Sequence, residues 1–213
     1  YLKGRGLEIG AFHAPTPLVD GCEADYLDQM SIDDIKKRFP KYADYYCVYP
    51  NIIENGELLI SIEDNKYDFL IANHMLEHTE NVFKTIQNHL RVINKGGILY
   101  YAVPDKRFTF DKNRELTTYE HLKAEYLYGS ENYRYEHFLD FVTNVQNEKE
   151  EKEASKVAKK LSEEGLDTHF HVWTSETFID HIKKAINDKI LNIEILEHTH
   201  KNDIESITIL KKL

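Results

Sequence analysis

The chain is short of cysteine, short of positive charge, and has no long apolar run. Two cysteines, Cys22 and Cys47, are too few for a disulfide framework and stand at no metal-ligand spacing. That excludes a cross-linked secreted mini-domain and fits a reducing cytoplasm, the expected location. No apolar stretch approaches the ~20 residues needed to span a bilayer, and no signal-peptide pattern is visible. Lys and Arg number 27 against 37 Asp and Glu, a formal net charge of -10. Phosphate backbones and anionic membranes attract basic faces, so neither nucleic acid nor a membrane is an expected partner. A start methionine is also missing and the first strand begins almost at once, as expected of a trimmed or partly observed version of a longer protein.

What is present suffices for one core. A chain of 213 residues, 41% of them hydrophobic, is expected to form a single domain over 1–213. Gly6-Leu7-Glu8-Ile9-Gly10-Ala11 reads as a buried strand entering a tight turn. Glu8 needs a donor there, because an unpaired buried carboxylate is costly. Glycine at the strand's carboxyl end lets a ligand approach the backbone. Short strands follow at Glu23–Asp28 and Asn51–Glu54, with a helix between them opened by Ser31, carrying Ile32, Ile35 and Phe39 on one face, and ended by Pro40. Tyr67–Asn73 is a stronger strand. A helix with Val82, Ile86, Leu90 and Ile93 comes next, closed by Lys95-Gly96-Gly97, and then a strand over Ile98–Val103.

Residues 105–172 break this alternation and read as a helical insert or lid after the fifth strand. Thr117 with Glu120 resembles a capping box, Ser130 starts a further helix with Tyr135, Phe138, Phe141, Val142 and Val145 inward, and 148–164 is a solvated Glu/Lys helix. Thr174 then caps a helix carrying Phe178, Ile182 and Ile186, and two strands finish the chain. The pattern predicts an α/β fold with a mostly parallel seven-stranded sheet and helices on both faces.

Four motifs fall in order at strand ends. They are Leu7-Glu8-Ile9-Gly10-Ala11; Asp28, 18 residues past Gly10; Asn55-Gly56-Glu57; and Ala72-Asn73-His74-Met75-Leu76-Glu77-His78. Together they resemble the class I S-adenosylmethionine-dependent methyltransferases, and the last, with its Leu-Glu-His ending, resembles the type 11 subgroup. The resemblance implies a Rossmann-like fold, S-adenosyl-L-methionine as cofactor, and a cofactor site drawn from Glu8, Gly10, Ala11, Asp28, Asn55, Gly56, Glu57, Asn73, His74 and His78. Asp28 would take the ribose diol, with Asp25 its competitor. One departure is that Phe12-His13-Ala14-Pro15-Thr16-Pro17 stands where the family places a second glycine. Val103-Pro104-Asp105-Lys106-Arg107 and His169-Phe170-His171-Val172-Trp173-Thr174 are similar to a sugar- and polysaccharide-associated variant, which implies a small-molecule or carbohydrate acceptor and a fusion or complex with glycan-assembly enzymes.

An acceptor hydroxyl calls for a general base. Histidine serves near neutral pH, and the candidates are His74, His78, His121, His137, His169 and His171, with Asp105 well placed after the fifth strand. His169 and His171 alternate in an extended segment and are expected to face one way, as a catalytic pair or as lid packing. His74 and His78 are four apart, but no third ligand is signalled and the full HExxH pattern is absent, so no metal site is expected. N-methylation of a small amine and a non-catalytic cofactor-binding module stay open beside O-methylation. An NAD-dependent oxidoreductase is disfavoured, because the first turn lacks the glycine fingerprint that a pyrophosphate needs.

Overall fold

The computed structural model describes residues 1–42, 44–201 and 204–213. Seven strands form one sheet in the order β3-β2-β1-β4-β5-β7-β6. They are β1 (Gly4–Ile9), β2 (Cys22–Asp28), β3 (Ile52–Ile53), β4 (Tyr67–Asn73), β5 (Ile93–Pro104), β6 (Ile193–Lys201) and β7 (Glu205–Lys212). Among the described residues six α-helices accompany them: α1 (Ile32–Arg38), α2 (Val82–Val92), α3 (Tyr119–Tyr128), α4 (Arg134–Asn144), α5 (Glu151–Glu164) and α6 (Ser175–Asn187). No helix among the described residues is long and apolar enough to cross a membrane.

The apolar run Phe69-Leu70-Ile71-Ala72 fits its place. β4 lies between β1 and β5, and all four side chains are buried, as a strand covered on both faces requires. β1 pairs with β2 and β4 in parallel, as do β2 with β3 and β4 with β5. β7 runs antiparallel to both β5 and β6. The sheet is therefore mixed rather than the mostly parallel one expected. The cause is chain length: only positions 202–204 separate β6 from β7, and a parallel crossover needs about a dozen residues or more.

Local signals were displaced by a residue or two. α2 ends at Val92, and Ile93 already belongs to β5, pairing with Tyr67. Gly96, with φ +77°, thus lies within β5, where the pairing with β4 shifts register, and does not cap the helix. α3 is capped by Thr118, whose hydroxyl accepts the His121 amide. Its neighbour Thr117 bonds Val172 instead. Phe39 is the exposed C-cap of α1 and takes no part in its buried face.

Residues 105–172 hold α3, α4 and α5. Tyr119 and Leu122 of α3 join the main core, while Phe138 and Val142 of α4 pack on Ala154 and Ala158 of α5 and on Phe170. Arg114, almost wholly buried, ties this region together. It donates to Asp111 (2.9 Å), to Asp140 (2.6 Å) and to the His169 carbonyl (2.7 Å). An arginine so enclosed is tolerable only because its fork is filled.

Candidate active site

A cleft of about 700 Å³ opens where the carboxyl ends of β1, β2 and β4 meet the segments that follow them. In a sheet of this kind ligands bind at that edge. Two glycines make the cleft possible. Gly10 has φ +70°, a backbone that L side chains rarely adopt, and its amide bonds the Leu27 carbonyl (2.8 Å). A Cβ on Gly56 would stand 2.7 Å from the Ile9 side chain and 3.0 Å from that of Met75. Two of the non-glycine residues with left-handed backbone, Phe12 (φ 43°) and His74 (φ 50°), also line the cleft. Backbone strain of this kind concentrates at functional sites.

Of the residues named for the cofactor, Gly10, Asp28, Gly56, Glu57, Asn73, His74 and His78 line the cleft. Glu8, Ala11 and Asn55 do not. Glu8 is 1% exposed, and its Oε1 accepts the amide (2.9 Å) and hydroxyl (2.7 Å) of Thr16. Asn73 Nδ2 donates to the same hydroxyl (2.9 Å). Glu8 therefore anchors the proline-containing loop from beneath and sets the wall rather than touching a ligand. Ala11 is buried, and Asn55 folds back to accept the Glu57 amide (2.7 Å) in a local turn.

Asp28 ends β2, with Oδ1 accepting the Gln29 amide (2.7 Å), and burial raises its carboxyl above the ordinary value. Asp25 is taken up by Arg5 (2.8 Å) and the Tyr67 hydroxyl (2.8 Å), which leaves Asp28 as the acid of β2 in the cleft. Burial, then the nearby Glu80, push Glu57 up to about 7. His74 is held protonated, up to about 9, by Glu77 (3.6 Å) and by Glu205 (2.6 Å) against the opposing effect of burial. Burial disfavours charge on His78 too, but Asp167 (2.8 Å) and Glu77 outweigh it and raise its pKa.

The residues named for catalysis are scattered. His169 packs edge-on against His78, ring centroids 4.6 Å apart, just behind the cleft wall. Its Nδ1 lies 2.6 Å from Asp111. Burial would raise the Asp111 carboxyl, but His169 and Arg114 hold it below the ordinary range. An ionised Asp111 accepts the Nδ1 proton and leaves Nε2 as the basic nitrogen. His171 does not face the same way. It is sealed inside the insert, stacked on Trp173 and 3.4 Å from Glu125. The expected alternation fails because the amides of Phe170 and His171 both donate to the Glu77 carbonyl (2.7 and 3.2 Å). Successive amides of a flat extended chain point to opposite sides and cannot do that.

His137 also lies in the insert, bonded to Glu125 (2.7 Å) and facing a separate cavity of about 260 Å³. Asp105 lies outside the cleft lining. Wholly buried, it binds Arg107 (2.6 Å) and accepts the Ser175 amide (2.8 Å) at the start of α6. Burial would raise its carboxyl, yet these donors hold it below the ordinary range.

Several contributors gave no motif signal. His89, fully enclosed, lies 2.9 Å from the Gly56 carbonyl through Nε2 and 2.8 Å from the Tyr101 hydroxyl through Nδ1. A carbonyl can only accept, so Nε2 carries the proton and braces the cleft floor. Thr16, Asp111 and Asp167 are likewise loop residues whose importance depends on what they meet.

With this geometry in place, the comparisons are informative. The Methyltransferase domain family matches residues 8–185. An uncharacterized protein from Methanocaldococcus jannaschii is 33% identical over 108 residues, which cover 49% of this chain and 46% of that protein. The chain thus spans less than half the length of that curated relative. Among solved structures, a protein from Pyrococcus horikoshii has TM-score 0.52 at 13% identity, covering 100% of this chain and 83% of that one. A SAM-dependent methyltransferase from Aquifex aeolicus has TM-score 0.51 at 10% identity, covering 100% and 85%. At such identities the likeness speaks for the fold.

Proposed function

The chain belongs to the methyltransferase domain family, and from that premise we propose that it transfers a methyl group from S-adenosyl-L-methionine to a small polar acceptor, a hydroxyl of a sugar or polysaccharide precursor. The observation that carries this reading is the cleft itself. One carboxylate, Asp28, stands at the end of β2 in a cavity whose other walls include Ile9, Leu27, Met30 and Met75. A carboxylate beside apolar walls suits a nucleoside: the acid for the diol, the apolar side chains for the base. The first turn has one glycine and no pyrophosphate fingerprint, which a sulfonium nucleoside does not need.

The cofactor, when bound, supplies an already activated methyl group. The protein must then bind, aim and exclude water. Asp28 holds the nucleoside. Glu8, through Thr16 and Asn73, fixes the loop above β1. His169, oriented by Asp111, takes the proton of the acceptor hydroxyl at Nε2 once the wall at His78 yields access. A hydroxyl needs such a base and an unprotonated amine does not, so the Asp111–His169 pair favours oxygen as the acceptor atom. A fusion or complex with glycan-assembly enzymes in the cytoplasm would supply that acceptor.

Calorimetry with S-adenosylhomocysteine and with NAD tests the cofactor. Binding of NAD with none of the adenosyl ligand overturns the reading. Asp28→Ala is expected to weaken S-adenosylhomocysteine at least about tenfold, the loss of roughly one charge-assisted hydrogen bond. An acceptor screen that reports homocysteine-product release then identifies the substrate. With that substrate, His169→Gln is expected to lower turnover about a hundredfold or more while leaving ligand affinity unchanged. Full turnover in that variant removes His169 as the base.

A further inference from the structure

Away from the cleft, four side chains converge inside the insert. His121 and Glu125 are four apart on α3 and so share one face of that helix. His137 comes from α4 and His171 from the segment leading to α6. Glu125 lies 3.1 Å from His121 Nε2, 2.7 Å from His137 Nε2 and 3.4 Å from His171 Nε2, and the Nε2 atoms of His121 and His137 are 3.3 Å apart. One ligand atom from each residue can be chosen so that all lie within 4.8 Å of one another.

A plain hydrogen-bond network does not account for this grouping. Glu125 and His171 are fully enclosed, with 0% side-chain exposure. Yet, among the described residues, neither ring nitrogen of His171 makes a hydrogen bond of good geometry, although the Glu80 backbone lies close, and Glu125 Oε2 has no partner. Buried polar groups are nearly always satisfied, so an imidazole and a carboxylate oxygen left unpaired side by side point to a missing shared partner.

We propose that His121, Glu125, His137 and His171 bind one zinc-class divalent cation, as a structural site that fastens the insert to the core. Four protein ligands of imidazole and carboxylate type are what a closed tetrahedral zinc site uses. With bonds of about 2.0–2.1 Å, the edges of such a tetrahedron are about 3.3 Å. Of the four separations, His121–His137 (3.3 Å) and His121–Glu125 Oε1 (3.1 Å) fall close to that edge, and a third sets the other carboxylate oxygen, Oε2, 3.4 Å from His171 Nε2. The fourth, from His137 to Glu125, is the hydrogen bond the metal replaces. Imidazole nitrogens from two helices and one extended segment surround a single enclosed carboxylate, the donor set such a site needs. The smaller cavity, lined by His121, His137, Glu136 and Asp140, gives a cation an acidic way in.

The consequence reaches the cleft. The amide of His171 bonds the Glu77 carbonyl, and Glu77 lies in the 3₁₀ turn Leu76–His78 that forms part of the cleft wall. A metal at His171 therefore stiffens that wall from behind. The site is independent of the methyl acceptor and stands or falls apart from it.

The test uses the purified full chain, stripped with a chelator and dialysed. One equivalent of Co²⁺ is expected to give the intense visible d–d bands of tetrahedral coordination. One equivalent of Zn²⁺ is expected to raise Tm by about 5 °C or more and to remain bound against a colorimetric chelator. Glu125→Gln and His171→Gln should abolish the bands, and His78→Gln, at a residue that bonds Asp167 and packs on His169 outside this group, should keep them. A wild-type chain that holds no Co²⁺, or shows only weak octahedral bands, overturns the proposal even if the variants do not fold. So do bands that survive His171→Gln and vanish in His78→Gln. Retention of S-adenosylhomocysteine binding alongside metal failure separates this proposal from the enzymatic one.

Discussion

Histidines beside the cleft and histidines sealed behind it are made of the same chemistry in opposite surroundings. His74 and His78 keep partial access to solvent and pair with Glu205 and the 67% exposed Asp167, with the buried Glu77 beneath them. Their charged forms are favoured. His89 and His171 are wholly enclosed, and burial suppresses their charge. The difference teaches that a histidine's role follows from the dielectric around it more than from its motif. His74, His78, His169 and His171 all came from runs that looked equally chemical. Only the first three stand at or behind the cleft, and His171 is fully enclosed in a separate group within the insert.

Variants can break or sharpen this contrast. The largest effect is expected from Glu125→Ala in the sealed group, which strands several imidazoles around a hole. Breaking a buried ionic contact by removing one partner costs about 3–5 kcal/mol, to be read from urea unfolding. A loss below 1 kcal/mol would show that the group is wetter than its geometry implies.

Next comes the pH profile of His89. Burial lowers its folded value to about 4, against an ordinary value near 6.5. The unfolded chain therefore binds a proton that the folded chain refuses between those values. Stability is unaffected by this residue above about pH 6.5 and falls as pH drops towards 4, by up to about 1.4 kcal/mol per pH unit. His89→Gln should flatten that part of the profile. His74 runs the other way: raised to about 9, it contributes stability below its unfolded value, and that contribution is lost as pH rises through 9. A wild-type-minus-variant difference for His89 that shows no slope between pH 6.5 and 4 would remove it from the sealed class.

The smallest effect belongs to Asp167→Asn, at the exposed end of the cleft group. Its pair with His78 is largely solvated, so stability should change by less than about 0.5 kcal/mol. The proton resonance titration of His78 should move downward, since Asp167 is one of the groups that raise it. An unmoved titration would assign that role to Glu77 alone.

Much of the framework could be read directly from residue order. β4 is a short, dense apolar run, and α2 repeats its apolar positions at helical spacing, so hydrophobic period alone specifies both. Gly10, Asp28, Gly56 and Asn73 stand at strand ends, and the topology carries such ends to one edge. Asp105 misled because a carboxylate after a strand looks the same whether it meets a ligand or Arg107 and the Ser175 amide. His171 misled because strand alternation presumes a flat extended chain, and the Glu77 carbonyl bends this one. Glu125 gave no sign at all, being one acid among many on the surface of a helix pattern.

Periodicity and turn chemistry act within a few residues, so residue order sufficed for most strands and helices, the cleft edge and its glycines. Burial and partnership are long-range properties. Arg114 meets Asp140, Glu125 meets His171, and Asp111 meets His169 across spans of 26 to 58 residues. Only the packed structure decides which carboxylate stays in water, which imidazole loses its proton and which is left waiting for a partner, because each of those outcomes depends on the solvent that the fold removes.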